Sequence, residues 1–175
     1  MSHPLSLFRH CPVCGSADFP ENNFKSKRCL HCGFTYYANP CSATAAFILD
    51  DDERLLVARR GKEPAKGTLD LVGGFVDMDE TVEEGMRREI LEESGLEVSQ
   101  MEYLFSIPNQ YLYSGMTIHT TDMFFRVRVP SGIPVKADDD AAELFWLPLA
   151  DVHPEEFGLQ SIRQAVERFC EVHIS

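Results

Sequence analysis

The 24 residues from Gly73 to Leu96, GGFVDMDETVEEGMRREILEESGL, constrain this chain more than any other stretch. They carry both end signals of a helix. Thr81 and Glu84 have capping-box spacing, in which each side chain satisfies a free backbone N–H at the helix start. Val82, Met86 and Ile90 form one apolar face, and Gly95 fits the left-handed position just past the helix end. Gly85 in the interior costs about 1 kcal/mol relative to alanine, which implies either close packing there or a weaker helix. Glu89, Glu92 and Glu93 follow the i, i+3, i+4 rule and share a face, their neighbouring Cβ atoms about 5–6 Å apart. Like charges at that spacing destabilise a helix by a few tenths of a kcal/mol per pair. A hard divalent cation such as Mg²⁺ or Mn²⁺, which takes oxygen ligands and commonly bridges to phosphate, would offset this. Spacing alone leaves a second reading open, a solvated acidic face.

The surrounding sequence reads as one packed domain behind a small module. Four paired cysteines and few aliphatic residues precede Asn39-Pro40, and apolar runs follow, which places a boundary at residues 38–41. Ala43–Leu49 reads as a buried strand, Asp50-Asp51-Asp52 as a turn and Arg54–Arg60 as the returning strand. Residues 61–67 read as a loop and Leu69–Val72 as a short strand running into Gly73-Gly74. Met101–Ile107, Thr117–Val129 and Leu144–Leu147 read as further strands. Leu159, Ile162, Val166 and Phe169 mark an amphipathic C-terminal helix. Asp138-Asp139-Asp140 reads as a solvated acidic loop.

The first module has Cys11-x-x-Cys14, fourteen residues, then Cys29-x-x-Cys32, each pair followed by glycine (Gly15, Gly33). Two such pairs supply the four sulfurs of tetrahedral Zn²⁺, with the glycines allowing the tight turns. With four thiolates and no open position, the zinc is expected to be structural and to order about 30 residues that have too little core of their own. Cys41 and Cys170 have no partner pattern and are expected as small buried side chains.

Charge narrows the function classes. The net charge is −12 and the isoelectric point about 4.8. That balance argues against a general nucleic-acid binder or a membrane-surface protein, but not against a phosphorylated small molecule held through a cation. No apolar run reaches 18 residues, and the N-terminus lacks the basic-then-apolar pattern of a secretory signal. Six cysteines without such a signal fit metal binding in a reducing compartment, the cytoplasm.

The full pattern, Gly74, five residues, Glu80, seven residues, then Arg88-Glu89-Ile90-x-Glu92-Glu93-x-Gly95-Leu96, resembles the signature of the Nudix hydrolases, with every fixed position filled. Leu56–Arg60 and Leu69–Gly74 resemble the usual lead-in, with Val72 where many members have proline. The resemblance implies an α/β/α sandwich with a mixed sheet, residues 41–175, preceded by a four-cysteine zinc ribbon, residues 1–40. It implies hydrolysis of a diphosphate bond with catalytic Mg²⁺ or Mn²⁺. Glu89, Glu92 and Glu93 match the metal-binding glutamates, and the Gly73 carbonyl is expected to add a ligand. Arg88 would hold a glutamate in place, Glu80 would be structural, and Glu92 or Glu93 would take the proton of the attacking water. A further acidic ligand from outside the motif is expected at Glu143, with Asp139 and Asp140 as rivals.

The order of ribbon and hydrolase domain resembles the subgroup that includes NADH pyrophosphatases and relatives acting on FAD or ADP-ribose. The tryptophan- and proline-rich signature of the NADH enzymes is absent; Phe105–Tyr111 stands in its place, and the only tryptophan is Trp146. Phosphate contacts are expected from Arg59 and Arg60, with Arg126 and Arg128 as further candidates, and all four equally suit solvating a sheet edge or pairing with acids. Tyr111, Tyr113 or Phe105 would stack on a base, or fill the core instead. The expected partner is a small nucleotide, with no nucleic acid and no membrane; the resemblance implies a homodimer that no heptad or apolar patch demonstrates. The motif also suits a house-cleaning nucleoside triphosphate hydrolase. A ligand-sensing regulator fits less well, because the acidic helix is intact. An isopentenyl diphosphate isomerase fits less well too, because its cysteine and glutamate catalysts are not evident.

Overall fold

The computed structural model describes residues 3–136 and 141–173, so Asp138, Asp139 and Asp140 lie outside the described residues. The chain divides into two compact units, Met1–Cys41 with Gln110–His119, and Ser42–Asn109 with Thr120–Ser175. In the first unit, β1 (Glu21–Asn23), β2 (Ser26–Arg28) and β3 (Thr35–Tyr37) form a small antiparallel sheet in that order. Among the described residues its core cluster is Cys11, Phe19 and Cys29, with Phe8 and Phe34 packed against them. So few apolar side chains do not hold 40 residues together without a staple.

The second unit is built on ten-residue β4 (Cys41–Asp50). A tight turn returns the chain as β5 (Arg54–Arg60). The carboxylate of Asp50, 1% exposed, holds that turn by accepting from the Asp52 and Arg54 backbone N–H groups and the Arg54 guanidinium. β6 (Leu69–Asp70) pairs with β5, and β7 (Val72–Phe75) pairs with β4. Helix α1 (Val82–Ser94) follows, then β8 (Glu102–Tyr113), β9 (Met116–Val129), β10 (Ala141–Pro148) and helix α2 (Gln160–His173). The mixed sheet runs β10-β5-β4-β9-β8.

Alternation along β4 sends side chains into two cores. Ala46 and Ile48 join Val72, Met86, Ile90 and Phe125 on the α1 face. Ala45, Phe47 and Leu49 join Phe124, Ile162, Val166 and Phe169 on the α2 face. The rings of Phe47 and Phe169 stack there with centroids 4.0 Å apart. Two apolar clusters, one on each side of a sheet, make the α/β/α sandwich.

The helix ends match their sequence signals. Thr81 Oγ accepts from Glu84 N at 3.2 Å, the Glu84 carboxylate accepts from Thr81 N at 2.8 Å, and Gly95 is left-handed at φ 74°. Gly85 is buried, and a Cβ there would lie 3.2 Å from Glu80 Oε2 and 3.4 Å from the Val76 methyls, which is why the helix accepts a glycine at that point. Two expectations change. The strand expected to end at Ile107 continues through Pro108 to Tyr113. β8 is the edge of its sheet, where proline removes no needed hydrogen bond. A Ser114-Gly115 turn with both φ positive closes the hairpin. Cys41, expected to be buried, is exposed, because burial along β4 begins only past Ser42. No helix among the described residues is long and apolar enough to cross a membrane.

Candidate active site

Antiparallel pairing with β4 sets the glycines: Ala45 faces Gly73 and Thr44 faces Gly74. A Cβ on Gly73 would overlap the Thr44 carbonyl oxygen. A Cβ on Gly74 would stand 2.5 Å from Glu89 Oε1 and 2.7 Å from Oε2. The space that side chain would need belongs to the Glu89 carboxylate. At this point two glycines are required by close approach, one of the strand backbone and one of a helix carboxylate.

Arg88 is the hub of the acidic face. Its Nε donates to Glu80 Oε1 at 2.8 Å and its Nη2 to Glu80 Oε2 at 3.0 Å, a bidentate pair. Nη1 donates to Glu89 Oε1 at 2.8 Å and to Glu92 Oε2 at 3.0 Å, and Nη2 also reaches the Phe75 carbonyl at 3.0 Å. Glu93 accepts from the Gly73 N–H at 3.0 Å. In this arrangement the three motif glutamates do not converge. Among the described residues, the cysteines alone form a group of three or more such side chains with ligand atoms within 4.8 Å of one another.

The local electrostatics follow from these contacts. Hydrogen bonds from Arg88, then from the Asp77 N–H, hold the Glu80 carboxyl below the usual range. Burial pushes Glu89 above it, and the Arg88 guanidinium only partly offsets this. The bonded carboxylates, Glu80 first, raise Arg88 well above an ordinary guanidinium, so it stays charged. The Glu89 side chain is 14% exposed and that of Glu92 is 56% exposed. A half-desolvated carboxylate of raised pKa beside others of the same sign favours a cation. The donor set, carboxylates plus the backbone of Gly73, suits a hard oxygen-seeking ion.

The other residues singled out in the sequence fall as follows. Glu143 on β10 stands opposite Arg59 on β5, with Arg59 Nε 3.6 Å from Glu143 Oε2. Arg60 donates to the Pro64 carbonyl at 2.8 Å and forms a short ion pair with Asp70, both side chains largely buried. Burial, and secondarily the charge of Asp122, push Asp70 up while Arg60 opposes them. Arg126 pairs with Glu102, and Arg128 with Glu53 at 2.6 Å. Tyr111 and Tyr113 stack with centroids 6.3 Å apart in the first unit, and Phe105 packs on Phe124 in the second. Sequence reasoning passed over Thr44 and Asp70. The signal for Thr44 was available, since it is the one polar residue in Ala43–Leu49.

In the first unit, Cys11 and Cys32 sulfurs lie 3.6 Å apart, as do those of Cys14 and Cys29. Tetrahedral ligands about 2.3 Å from zinc stand about 3.8 Å from one another, so the four sulfurs fit that ion. Each pair is held by a turn: Gly15 N–H donates to the Cys11 carbonyl at 2.9 Å and Gly33 N–H to the Cys29 carbonyl at 3.0 Å. The Cys32 N–H, then that of His31, hold the Cys29 thiol down at about 6.

Comparison with known proteins agrees with this geometry. The family model described as NUDIX domain matches residues 39–169. A curated relative named NAD-capped RNA hydrolase NudC, from Escherichia coli O1:K1, is 29% identical over 146 residues, covering 82% of this chain and 53% of its own. The chain thus spans about half the length of the curated relatives it matches. The MutT NUDIX hydrolase of Burkholderia pseudomallei superposes with a TM-score of 0.62 at 26% identity, over 74% of this chain and 97% of that one. The NUDIX domain of Shewanella oneidensis NrtR, solved with ADP ribose, gives 0.64 at 20% identity, over 78% and 90%. Matched over well more than half its length by the domain model, and carrying a loop–helix–loop from Gly73 to Leu96 in which Gly74 makes room for a helix carboxylate, the chain belongs to the Nudix family.

Proposed function

We propose that the chain is a divalent-cation-dependent hydrolase that cleaves the diphosphate of a nucleoside diphosphate derivative such as ADP-ribose, FAD or NAD(H). The observation that carries this is the Gly74–Glu89 approach, which keeps one carboxylate of an acidic helix face against a strand backbone that lacks side chains. A diphosphate needs its charge neutralised and a water brought in line with phosphorus, and the bound cation supplies both. Glu89, Glu92, Glu93 and the Gly73 carbonyl are the oxygen set proposed to hold Mg²⁺ or Mn²⁺. Glu92 or Glu93 accepts the water's proton. Arg88 orients the carboxylates through the hydrogen bonds described above. Glu143 would add a carboxylate from β10, releasing Arg59 to the substrate phosphate. Arg60, committed to Asp70, is assigned to shaping the loop that follows β5 rather than to phosphate. The four cysteines are proposed to hold a structural zinc, with residues 1–40 as its ribbon and 41–175 as the hydrolase domain, in a reducing compartment such as the cytoplasm.

NAD(H), FAD, ADP-ribose and a NAD-capped RNA end share the same nucleoside diphosphate, so the names of the relatives support this class without selecting a member. The test is a panel of ADP-ribose, NADH, NAD, FAD, NAD-capped RNA and nucleoside triphosphates, with Mg²⁺ or Mn²⁺, reading phosphate-containing products. Turnover of the dinucleotide class that disappears with chelator and in Glu93→Gln is expected. Preferential turnover of triphosphates would move the chain to the house-cleaning reading, and no turnover of any would refute the proposal.

A further inference from the structure

Thr44 is 3% exposed, and its Oγ is buried with no hydrogen-bond partner among the described residues. Buried polar atoms are nearly always partnered, so the Thr44 hydroxyl calls for a partner beyond the contacts described. Its direction is fixed by the sheet. Thr44 stands directly opposite Gly74 in the β4–β7 pairing. Opposed residues of an antiparallel pair project from the same face, with Cβ positions about 4.5–5.5 Å apart. The Cβ direction of Gly74 is occupied by the Glu89 carboxyl group, 2.5–2.7 Å from that position. Thr44 also alternates with Ala46 and Ile48, which line the α1 face. The Thr44 side chain therefore projects from the same face as the Glu89 carboxylate, about one strand spacing from the Gly74 Cβ position that the carboxylate fills. In the arrangement described, Arg88 holds Glu89 Oε1 at 2.8 Å.

We infer that Thr44 is a positioning residue for Glu89: its hydroxyl donates to that carboxylate once the carboxylate turns off Arg88 to hold a divalent cation. This rests on the metal role proposed for Glu89 above. A hydroxyl that fixes a ligand carboxylate raises its affinity without touching the ion, and removing such a support typically costs 10–100-fold. The buried threonine in the otherwise apolar run Ala43–Leu49 would then be kept for cation binding, since an alkyl group of the same shape would pack as well.

The experiment uses the full chain with its ribbon loaded with zinc, and titrates Mn²⁺ by electron paramagnetic resonance without substrate. Thr44→Val is expected to weaken Mn²⁺ binding about 10-fold. Thr44→Ser should restore it to near the parent value, and the melting temperature of Thr44→Val without Mn²⁺ should equal or exceed that of the parent. Adding Thr44→Val to Glu89→Gln should cause no further loss, because the two act through one bond. Unchanged Mn²⁺ affinity in Thr44→Val, or the same loss in the Glu89→Gln background, would overturn the assignment while leaving the metal role of the helix intact. Absence of any Mn²⁺ binding by the parent protein would instead sink the metal role, and this inference with it.

Discussion

Gly74→Ala tests the geometry of the acidic helix most sharply. The new Cβ would lie 2.5 Å from Glu89 Oε1, 2.6 Å from Cδ and 2.7 Å from Oε2, against an ordinary contact of 3.4 Å. The carboxyl must therefore retreat by about 1 Å, since β7 is pinned by its pairing with β4. A misplacement of that size in a catalytic constellation costs about 100-fold, or about 2.7 kcal/mol of transition-state stabilisation. Stability should change little, because the displaced group is the end of a flexible side chain still bonded to Arg88. The assay is steady-state kinetics with the best substrate of the panel and Mg²⁺, beside urea denaturation. The expected result is kcat/KM down about 100-fold with unfolding free energy within about 1 kcal/mol of the parent. Near-parental turnover would refute the claim that the glycine is kept for Glu89.

Two further outcomes follow from the same contacts. Glu80→Gln should lower stability at pH 7, because it removes the carboxylate that Arg88 grips with two bonds. The folded carboxyl titrates below its ordinary value of 4.5, so its contribution is full above that pH and is lost as pH falls through the lower folded value. The difference between parent and variant should therefore shrink on acidification; a difference that stays constant down to pH 3, by urea denaturation, contradicts the assigned ion pair. Cys14→Ser should lower zinc content and the melting temperature of the first unit, while the hydrolase domain stays folded and partly active; zinc retained together with lost turnover would contradict a structural zinc.

What was legible in the sequence was local. Thr81, Glu84 and Gly95 specify helix ends through bonds within a few residues, so α1 emerges where its sequence places it. The cysteine pairs are equally local, each closed by its own glycine turn. The apolar stripe Ile162, Val166, Phe169 likewise became the buried face of α2. What depends on strand register was not legible. That Thr44 faces Gly74, that Arg60 is taken by Asp70, and that Glu143 stands opposite Arg59 are properties of pairings between distant segments. The extension of β8 through Pro108 belongs here too, since proline is kept out of a central strand but not an edge, and sequence does not say which β8 is. The acidic face itself was legible as a face, but not its resting partners: Arg88 Nη1 holds both Glu89 and Glu92, while the Gly73 N–H holds Glu93.

The most direct measurement is a crystal soaked with Mn²⁺ and a non-hydrolysable methylene analogue of ADP-ribose, read by anomalous scattering. The account predicts a Mn²⁺ peak ligated by Glu89 and Glu93, with the analogue's diphosphate against it and the carboxylates released from Arg88 and the Gly73 N–H. A well-ordered analogue bound elsewhere, with the acidic face still gripped by Arg88 and no peak beside it, would contradict it.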